Sequence, residues 1–369
     1  MGRLDDIRHT FRDLTEGLDV KDVHGSFRRD TVRAYGVLGR GRLDRPEPRG
    51  FFGRWWFRTQ VLFLGLSSKL SPPRRLLFLV CIALTLWGLV DLPGDGVGPL
   101  AGRSPLGLAV AGLVLLLALE LADRVLVRDE LEVARELQRE LMPARAPELD
   151  GYSFAFSYRT ANTIGGDYYD FLPAGDGRLG LIVGDASGHG IAAGLVMAIA
   201  HSALRVAIDL DPSPAAVMDL VNRALYRSGG PRAFMTLFYG LLDPASGRLD
   251  YACSGHPYPL LRRADGVVVE LGAGSLPLGL RPGVEPAQGS ELFSPGDLLV
   301  MYTDGVPETL DGAGNAFGFD RLGNEAAAGG AAPVVHARIL SALERFAASA
   351  PLVDDRSLLI ISRGRERDA

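Results

Sequence analysis

The length, composition and charge of the chain limit what it can be. Its 369 residues, of which 47% are hydrophobic and 22% charged, suit two or three folded units and exclude wholesale disorder or a collagen-like fibre. Residues 1–75 hold 16 Lys and Arg against 9 Asp and Glu, whereas the rest of the chain is acidic. The acidic part argues against nucleic-acid binding, and the basic part suits an anionic lipid surface. Cys81 and Cys253, far apart, exclude a disulfide framework and a cysteine metal site, so we expect a reducing compartment.

The N-terminal region, residues 1–75, is predicted to be basic and cytoplasmic. Its first 25 residues contain no apolar core segment, so we expect no cleavable signal peptide. Residues 51–66 are aromatic and apolar, with three aromatic rings at 55–57 between Arg54 and Arg58. This pattern suits a membrane interface. It equally suits a helix packed on its own domain, and both interpretations remain open.

Two apolar runs, Leu76 to Val90 and Pro105 to Leu119, are predicted to form a transmembrane helical hairpin over residues 76–121. Each run lies near the short end of a membrane-spanning length. Cations flank the outer ends, whereas the intervening loop contains Arg103 alone; the flanking residues are Lys69, Arg74, Arg75, Arg124 and Arg128. By the positive-inside rule, both ends are cytoplasmic, which predicts a multi-pass protein of the cytoplasmic membrane. The alternative is a pair of buried helices in a soluble domain.

Residues 122–148 are predicted to form a linker helix. Apolar residues recur there at steps of three and four, at Val127, Leu131, Ala134, Leu137 and Leu141. This stripe suits a short coiled coil, and hence a homodimer, or packing on the next domain. Pro143 ends the helix, because proline disfavours helical backbone at the residue before it. The helix either transmits a signal from the membrane or is a passive spacer.

Residues 149–365 are predicted to form one α+β domain with a central β-sandwich. Strands are expected at Tyr152 to Tyr158, Leu179 to Val183, Thr236 to Leu242, Arg248 to Ser254, Val267 to Leu271, Leu298 to Tyr302 and Ser357 to Ile361. Helices are expected at Ile191 to Ile208, Pro214 to Tyr226 and Pro333 to Ala348. Runs such as 179–183 and 298–301 are apolar on both faces, which indicates strands buried between layers.

Aspartates cluster at the ends of these strands. Asp167 and Asp170 are expected directly after a strand, Asp185 and Asp304 follow buried runs, and the pair 354–355 precedes the last strand. Several adjoin glycines, which let backbone approach closely. Such oxygen ligands, without cysteine and with few histidines, favour Mg²⁺ or Mn²⁺. Any one of these aspartates alone is more simply a turn or helix-cap residue. Four such positions together predict a metal site.

The motifs around these aspartates resemble those of bacterial PPM-type (type 2C) serine/threonine phosphatases of the SpoIIE/RsbU branch. In chain order they are Gly-Gly-Asp-Tyr-Tyr-Asp (165–170), Gly-Asp-Ala-Ser-Gly-His-Gly (184–190), Ser-Gly-His-Pro (254–257), Tyr-Thr-Asp-Gly-Val-Pro-Glu (302–308), Phe-Gly (317–318) and Asp-Asp-Arg-Ser (354–357). Residues 137–143 also resemble the entry linker of that branch. The resemblance covers about residues 135–363 and implies an α-β-β-α arrangement of layers.

What the resemblance implies is a phosphomonoesterase with two Mn²⁺ or Mg²⁺ ions and no covalent enzyme intermediate. Asp185 would bridge the ions, and the Ala186 carbonyl would complete one coordination shell. Asp167 would act on the first ion, mostly through bound water, while Asp304 and Asp354 hold the second. A hydroxide between the two ions would attack phosphorus in line. The catalytic residues implied are therefore Asp185 and Asp167.

Two features depart from the wider type 2C group. Many eukaryotic members carry histidine two positions after the bridging aspartate, where this chain has Ser187. His189 is a candidate proton donor, although a structural role in the Gly-His-Gly turn is the simpler interpretation, and His256 is expected to be structural. No arginine is evidently aligned to bind phosphate, so substrate affinity is expected to rest on the metals.

The predicted function is dephosphorylation of phosphoserine or phosphothreonine on a regulatory protein, with a STAS-type anti-anti-sigma factor as the partner that the resemblance suggests. Gly-Gly-Asp also opens the signature of diguanylate cyclases, but that interpretation leaves Asp185, Asp304 and Asp354 unexplained. The second hypothesis is a catalytically silent module that binds a phosphoprotein. Loss of a metal aspartate would favour it, and none is lost.

Overall fold

The computed structural model describes residues 50–90, 104–228, 233–348 and 350–364. The chain divides into two compact units, Met1–Leu126 and Val127–Ala369. The first 49 residues of the predicted N-terminal region and the hairpin loop with Arg103 lie outside the described residues.

Helices make up the described part of the first unit. Helix α1 is Phe51–Lys69, α2 is Pro72–Val90, and α3 is Ser104–Glu140. The 37 residues of α3 contain both the second apolar run and most of the predicted linker, so no helix break marks the boundary expected at residue 121. At 1.5 Å per residue, α3 is about 55 Å long, which exceeds the thickness of a bilayer's hydrocarbon core.

The two apolar helices α2 and α3 pack antiparallel through small residues. A Cβ on Gly112 would lie 2.4 Å from the Cys81 sulfur, and one on Gly88 would lie 2.9 Å from Leu106. Arg74, at the start of α2, pairs with Glu120 and Asp123 of α3. Close contact through glycine is typical of helix pairs in membranes. Because lipid is as apolar as the side chains, such helices associate through close packing of their backbones, which small residues permit.

Three described helices are long and apolar enough to cross a membrane: Pro72–Leu89, Pro105–Glu140 and Ile191–Leu210. Only 11% of the 18-residue apolar stretch in the first of these helices is buried, and only 6% of that in the second. Large apolar side chains such as Leu86 and Trp87 are exposed. Half of the third window is buried, against the core of the second unit. The first two therefore remain the candidates for membrane spans.

The second unit contains ten strands and four further helices in its described part. The strands are β1 Tyr152–Arg159, β2 Asp167–Pro173, β3 Leu179–Ala186, β4 Met235–Leu242, β5 Arg248–Ser254, β6 Leu260–Arg262, β7 Val268–Glu270, β8 Ala287–Leu292, β9 Leu298–Tyr302 and β10 Arg356–Arg363. The helices are α4 Ile191–Leu210, α5 Pro214–Ser228, α6 Phe319–Ala327 and α7 Ala332–Ala347.

These strands form two five-stranded antiparallel sheets. The first has the order β1-β10-β9-β6-β7, and the second has the order β2-β3-β4-β5-β8. Helices α6 and α7 pack on the first sheet, and α4 and α5 pack on the second. The result is the predicted sandwich flanked by helices, and the fold class is confirmed.

Side-chain alternation along the strands explains how the layers are held together. In β9, Leu299 and Met301 belong to the core cluster shared by the two sheets, whereas Leu298 and Val300 belong to the cluster under α6 and α7. Successive side chains of a strand point to opposite faces, so a strand that is apolar throughout buries both faces.

The structure differs from the sequence prediction at several elements. Strands β2, β6 and β8 and helix α6 were not predicted. The expectation that Asp167 and Asp170 follow a strand is wrong, because β2 begins at Asp167 and contains both residues. Residues 167–170, Asp-Tyr-Tyr-Asp, do not alternate between apolar and polar side chains, so the sequence pattern did not indicate a strand. In the structure β2 pairs with β3 over seven positions.

Candidate functional site

Asp167 and Asp185 lie opposite each other on neighbouring strands. The register of β2 against β3 pairs Asp167 with Asp185, and Ala186 is the last residue of β3. The Asp167 side chain is fully buried, and that of Asp185 is partly buried. The strand pairing therefore places two of the predicted ligands at one end of the second sheet.

The first sheet supplies the other two predicted ligands. Asp304 follows β9 and Asp354 precedes β10, and because these strands are antiparallel neighbours, both residues lie at the same end of the sheet. Asp304, Asp354, Asp355 and Glu308 all act electrostatically on Asp185. The two sheets thus bring the predicted carboxylates into one acidic cluster at the end of the sandwich.

Protonation of this cluster is strongly affected by burial and by neighbouring charges. Burial and the adjacent carboxylates, Asp304 first, raise the pKa of Asp185 to about 8. The same two causes, burial first and then the charges of Asp354 and Glu308, raise the pKa of Asp304 to about 6. Burial, then Asp185, raises the pKa of Asp167 well above its usual value. A cation bound among these carboxylates would favour their ionised forms.

The residues fit a pair of hard divalent cations by donor type and by the space left for them. Gly166 is decisive, because a Cβ there would lie 2.7 Å from the Ala186 carbonyl oxygen and 3.1 Å from Asp185 Oδ1. Both predicted oxygen donors therefore face a space that only glycine leaves open. Among the described residues, no three Asp, Glu, His or Cys side chains stand close enough to ligate one ion as they are. The acidic cluster therefore offers oxygen donors of the type that these ions prefer, without a preformed three-carboxylate site among the described residues.

Two hydroxyl groups orient Asp167. Thr303 Oγ1 and Ser357 Oγ both donate hydrogen bonds to Asp167 Oδ2, at 2.7 and 2.8 Å, and the Ser357 backbone N–H donates to Thr303 Oγ1 at 2.9 Å. Thr303 directly follows β9 and Ser357 lies in β10, so these bonds tie β2 to the ends of two strands of the first sheet. Protein donors therefore hold the Oδ2 atom of Asp167 in one position.

Asp355 is a buried carboxylate that the sequence did not assign a role. Its oxygens accept hydrogen bonds from the backbone N–H groups of Ala161 and Gly166, both at 2.7 Å. The neighbouring Asp354 side chain is exposed instead. The two adjacent aspartates therefore differ in function: Asp355 holds the loop that carries Gly166, and Asp354 faces the outside of the acidic cluster.

The histidines of the two glycine-rich turns lie in different environments. His256 is buried, its Nε2 lies 3.1 Å from the Tyr302 carbonyl and its Nδ1 lies 2.9 Å from Thr236 Oγ1. Burial lowers the pKa of His256 to about 3, so it is neutral, and its geometry fits the expected structural role. His189 is exposed just before α4, and the Ser187 hydroxyl accepts a hydrogen bond from the Phe234 backbone N–H.

Asp170 does not join the acidic cluster. Its carboxylate accepts hydrogen bonds from the Tyr168 hydroxyl at 2.8 Å and from Arg205 at 3.2 Å. The His201 ring lies between the same two partners, 3.1 Å from Tyr168 and 3.2 Å from Arg205. This closed polar network ties β2 to α4, so the second aspartate of Gly-Gly-Asp-Tyr-Tyr-Asp positions the strand on which Asp167 lies.

The end of α3 contacts the same motif through one side chain. Gln138 is buried, its Nε2 donates to the Gly165 carbonyl at 2.6 Å, and its Oε1 accepts from the Gly165 N–H at 3.1 Å. A Cβ on Gly165 would collide with the Tyr158 hydroxyl, so the backbone runs close to its neighbours there. The predicted linker helix therefore contacts the residue two positions before Asp167.

Two arginines stand beside the acidic cluster, although none was evident from the sequence. Arg159 and Arg356 are paired across β1 and β10, and both line a cavity of about 130 Å³ together with Gly305 and Asp354. Burial and the Arg159 charge lower the pKa of Arg356. Arg356 belongs to the Asp-Asp-Arg-Ser motif, which was a signal in the sequence, but only strand pairing reveals its neighbour.

The family of the chain follows from comparison with known proteins. Residues 175–364, more than half of the chain, match the family Stage II sporulation protein E (SpoIIE). The chain belongs to the SpoIIE family. Asp185, Asp304 and Asp354 lie within the matched residues, and Asp167 lies before them. This membership confirms the resemblance seen in the motifs.

Two of the relatives of this SpoIIE-family chain are proteins of Bacillus subtilis (strain 168). It is 30% identical over 201 residues to Phosphoserine phosphatase RsbP, covering 52% of this chain and 48% of that protein. It is 26% identical over 183 residues to Phosphoserine phosphatase RsbU, covering 49% of this chain and 54% of that protein. The chain thus spans about half the length of these relatives. Their names agree with the predicted enzyme class, protein serine/threonine phosphatase.

Solved structures confirm the fold. The SiaA-PP2C domain of Pseudomonas aeruginosa superposes with a TM-score of 0.59 at 23% identity, covering 65% of this chain and 98% of that one. The phosphatase domain of SpoIIE from Bacillus subtilis, solved with a fragment of its regulatory domain, gives a TM-score of 0.51 at 17% identity, covering 58% of this chain and 64% of that one. The two sheets and flanking helices are those of a PP2C fold.

Proposed function

We propose that the chain is a metal-dependent protein serine/threonine phosphatase. The observation that carries the proposal is the acidic cluster, in which Asp167 and Asp185 of one sheet meet Asp304 and Asp354 of the other. Family membership and the phosphoserine phosphatases among the relatives support it.

In this proposal two Mn²⁺ or Mg²⁺ ions are held by Asp185, the Ala186 carbonyl, Asp167, Asp304 and Asp354. When bound, they supply a nucleophile at neutral pH and offset the negative charge of the phosphoryl group. Thr303 and Ser357 keep Asp167 in one orientation, and Asp355 holds the Gly166 backbone out of the ligand space. His189, exposed at the start of α4, is the candidate proton donor to the departing serine or threonine oxygen.

The proposed substrate is a phosphorylated regulatory protein of the STAS-type anti-anti-sigma class. Support comes from the similarity to RsbP and RsbU, which are named as phosphoserine phosphatases. The acidic cluster acts on the phosphoryl group, which all phosphate esters share. The choice of protein substrate must therefore depend on the surfaces around the cluster.

The proposed location is the cytoplasmic membrane, with the catalytic domain in the cytoplasm. The antiparallel pair α2 and α3 exposes apolar side chains along most of its length, which in water would be costly and in lipid is not. Residues 76–121 form the hairpin in this proposal, with both ends cytoplasmic, and the stripe from Val127 to Leu141 joins two copies of the chain as a homodimer.

The experiment that tests the catalytic proposal is hydrolysis of para-nitrophenyl phosphate by the full chain in detergent. Activity should require Mn²⁺ or Mg²⁺ and disappear with EDTA. Asp304→Asn should lower the rate by several orders of magnitude, because it weakens both the charge balance and the ligand set. A matched control is Asp219→Asn, which removes an exposed carboxylate on α5.

The silent-module alternative predicts a different result. A protein that only binds phosphoproteins would show no metal-dependent turnover of para-nitrophenyl phosphate, yet it would retain a phosphorylated partner. Equal activity in chelator would instead refute the metal mechanism. A phosphoproteomic comparison of cells expressing the wild type or Asp185→Asn would then identify the substrate, as the phosphoprotein that accumulates with the variant.

A further inference from the structure

A cleft of about 490 Å³ opens directly beside Asp304. Three loops line it: the turn after β5 that contains His256, the segment 273–275 after β7, and the start of α6 at Phe319. The cleft is larger than a phosphoryl group requires. Because it is continuous with the acidic cluster, a substrate whose phosphate reaches Asp304 must place its neighbouring residues over this cleft.

Aromatic rings form the walls of the cleft. Tyr258 lies flat against the backbone of Gly272, where a Cβ would be only 2.2 Å from the ring. The Tyr302 hydroxyl donates a hydrogen bond to the Tyr258 carbonyl at 3.0 Å, so these two residues are fixed to each other. Phe319 stands beside Tyr302, with ring centroids 6.4 Å apart, and 58% of its side-chain and backbone surface is exposed. A fixed wall facing an exposed ring is an arrangement suited to an apolar side chain.

The charge of the cleft is acidic. Of the described residues that line it, Glu270 and Asp304 are the charged ones, and His256 is neutral. Glu270 is exposed at the end of β7. The cavity beside Asp354 is lined by Arg159 and Arg356, and also by three acidic residues, Glu308, Glu344 and Asp354. Among the described residues, the cleft is therefore lined by acidic groups without a basic one, whereas the smaller cavity is lined by both.

We propose that this cleft binds the substrate segment adjacent to the phosphorylated residue, and that it selects an apolar side chain against Phe319 and a basic side chain against Glu270. This proposal rests on the proposed phosphatase function and specifies its substrate class. The occupant is the phosphoprotein substrate itself, since the cleft leads into the site where its phosphate is cleaved. Charge complementarity with Glu270 excludes an acidic neighbour on this side.

The test compares a small ester with phosphopeptides, using the full chain in detergent with Mn²⁺. Each peptide contains one phosphoserine, and the residues next to it are Leu and Lys, Leu and Glu, or only Ala. Each of these combinations is placed first before the phosphoserine and then after it. The wild type should hydrolyse the Leu-Lys peptide with a kcat/KM about tenfold above that of the Leu-Glu peptide, mainly through KM. The preference for Lys is expected on one side of the phosphoserine only, because Glu270 lines the cleft and not the cavity beside Asp354.

Two variants assign the preference to residues. Phe319→Ala should lower the ratio of kcat/KM for the Leu-Lys peptide to that for para-nitrophenyl phosphate by about tenfold, because in this proposal the ring binds the apolar side chain of the peptide, which the small ester lacks. Glu270→Lys should invert the preference between the Lys and Glu peptides. The matched control is Tyr226→Ala, which removes an exposed aromatic ring of α5 and should leave that ratio unchanged.

The remaining outcomes would refute either the assignment of the cleft or the proposed phosphatase function. Equal hydrolysis of all peptides, a preference for Glu, or a ratio that Phe319→Ala and Glu270→Lys leave unchanged would refute the cleft assignment while para-nitrophenyl phosphate is still hydrolysed. Failure of the wild type to hydrolyse para-nitrophenyl phosphate would refute the proposed function itself. The two failures are therefore distinguishable in one set of measurements.

Discussion

Asp185→Asn should make the metal-free domain more stable while removing its ability to bind metal. In the folded, metal-free protein, burial and the surrounding carboxylates raise the pKa of Asp185 from 3.8 to about 8. A carboxyl group whose folded pKa exceeds its unfolded pKa favours the unfolded state as soon as it can ionise there. Stability is therefore lost as the pH rises from about 4 to about 8, and the amide of asparagine avoids that loss.

The magnitude follows from the same pKa. From pH 3.8 to pH 7 the cost grows by ~1.4 kcal/mol per pH unit, which gives an upper limit of about 4 kcal/mol at pH 7. Asp185 is only partly buried, so solvent screening reduces this to about 2 kcal/mol. For a domain of this size, 2 kcal/mol corresponds to a rise in Tm of about 4–8 °C.

The assay is thermal unfolding of a fragment with residues 127–369, which forms its own compact unit. In EDTA the variant should melt above the wild type at pH 7.5, and the gap should narrow at pH 5. Adding Mn²⁺ should raise the Tm of the wild type and leave the variant unchanged, because a ligand stabilises only the state that binds it. Asp219→Asn, at an exposed ion pair with Arg223, should shift the Tm by less than about 2 °C under all conditions.

A variant that melts below the wild type in EDTA at pH 7.5 would refute this reasoning. So would a gap that does not depend on pH, because the destabilisation would then have a cause other than ionisation of Asp185. Equal stabilisation of both proteins by Mn²⁺ would show that Asp185 is not a ligand.

Four further predictions concern the support of the site and its connection to the proposed membrane hairpin. Ser357→Ala removes a hydroxyl donor from Asp167, and calorimetric titration with Mn²⁺ should show affinity about tenfold weaker; unchanged affinity would contradict the orienting role. Gln138→Ala removes both hydrogen bonds to the Gly165 backbone and should change activity without abolishing metal binding. Insertions of one to seven residues after Glu132 should change full-length activity and self-association according to the rotation that each insertion imposes on the helix. If every insertion leaves activity and self-association unchanged, α3 is a spacer. Reporter fusions after residue 70 and at the C-terminus should both give a cytoplasmic signal, and a tag near Gly98 should be accessible from outside the cell. Recovery of the intact chain in the soluble fraction after a high-salt wash would instead favour a pair of helices buried in a soluble domain.

Motifs and strand patterns were readable from the sequence because both are local. Strands such as Arg248–Ser254 and Leu298–Tyr302 were predicted at their exact bounds, since uninterrupted apolar or alternating runs end at turn residues. Strand β2 was missed, because its pairing with β3 and not its own composition holds it extended. The short strands β6 and β8 were missed for the same reason.

The sequence by itself determined the family, the layered fold class and the identity of the acidic residues, because these follow from ordered motifs and from hydrophobic periodicity. Only the tertiary structure decided which groups support them. Thr303 and Ser357 reach Asp167 across the two sheets, Asp355 turns inward while Asp354 remains exposed, and Asp170 pairs with Arg205 instead of joining the cluster. The contacts of Asp167 and Asp355 join residues more than a hundred positions apart and depend on how the two sheets stack, so no local pattern encodes them.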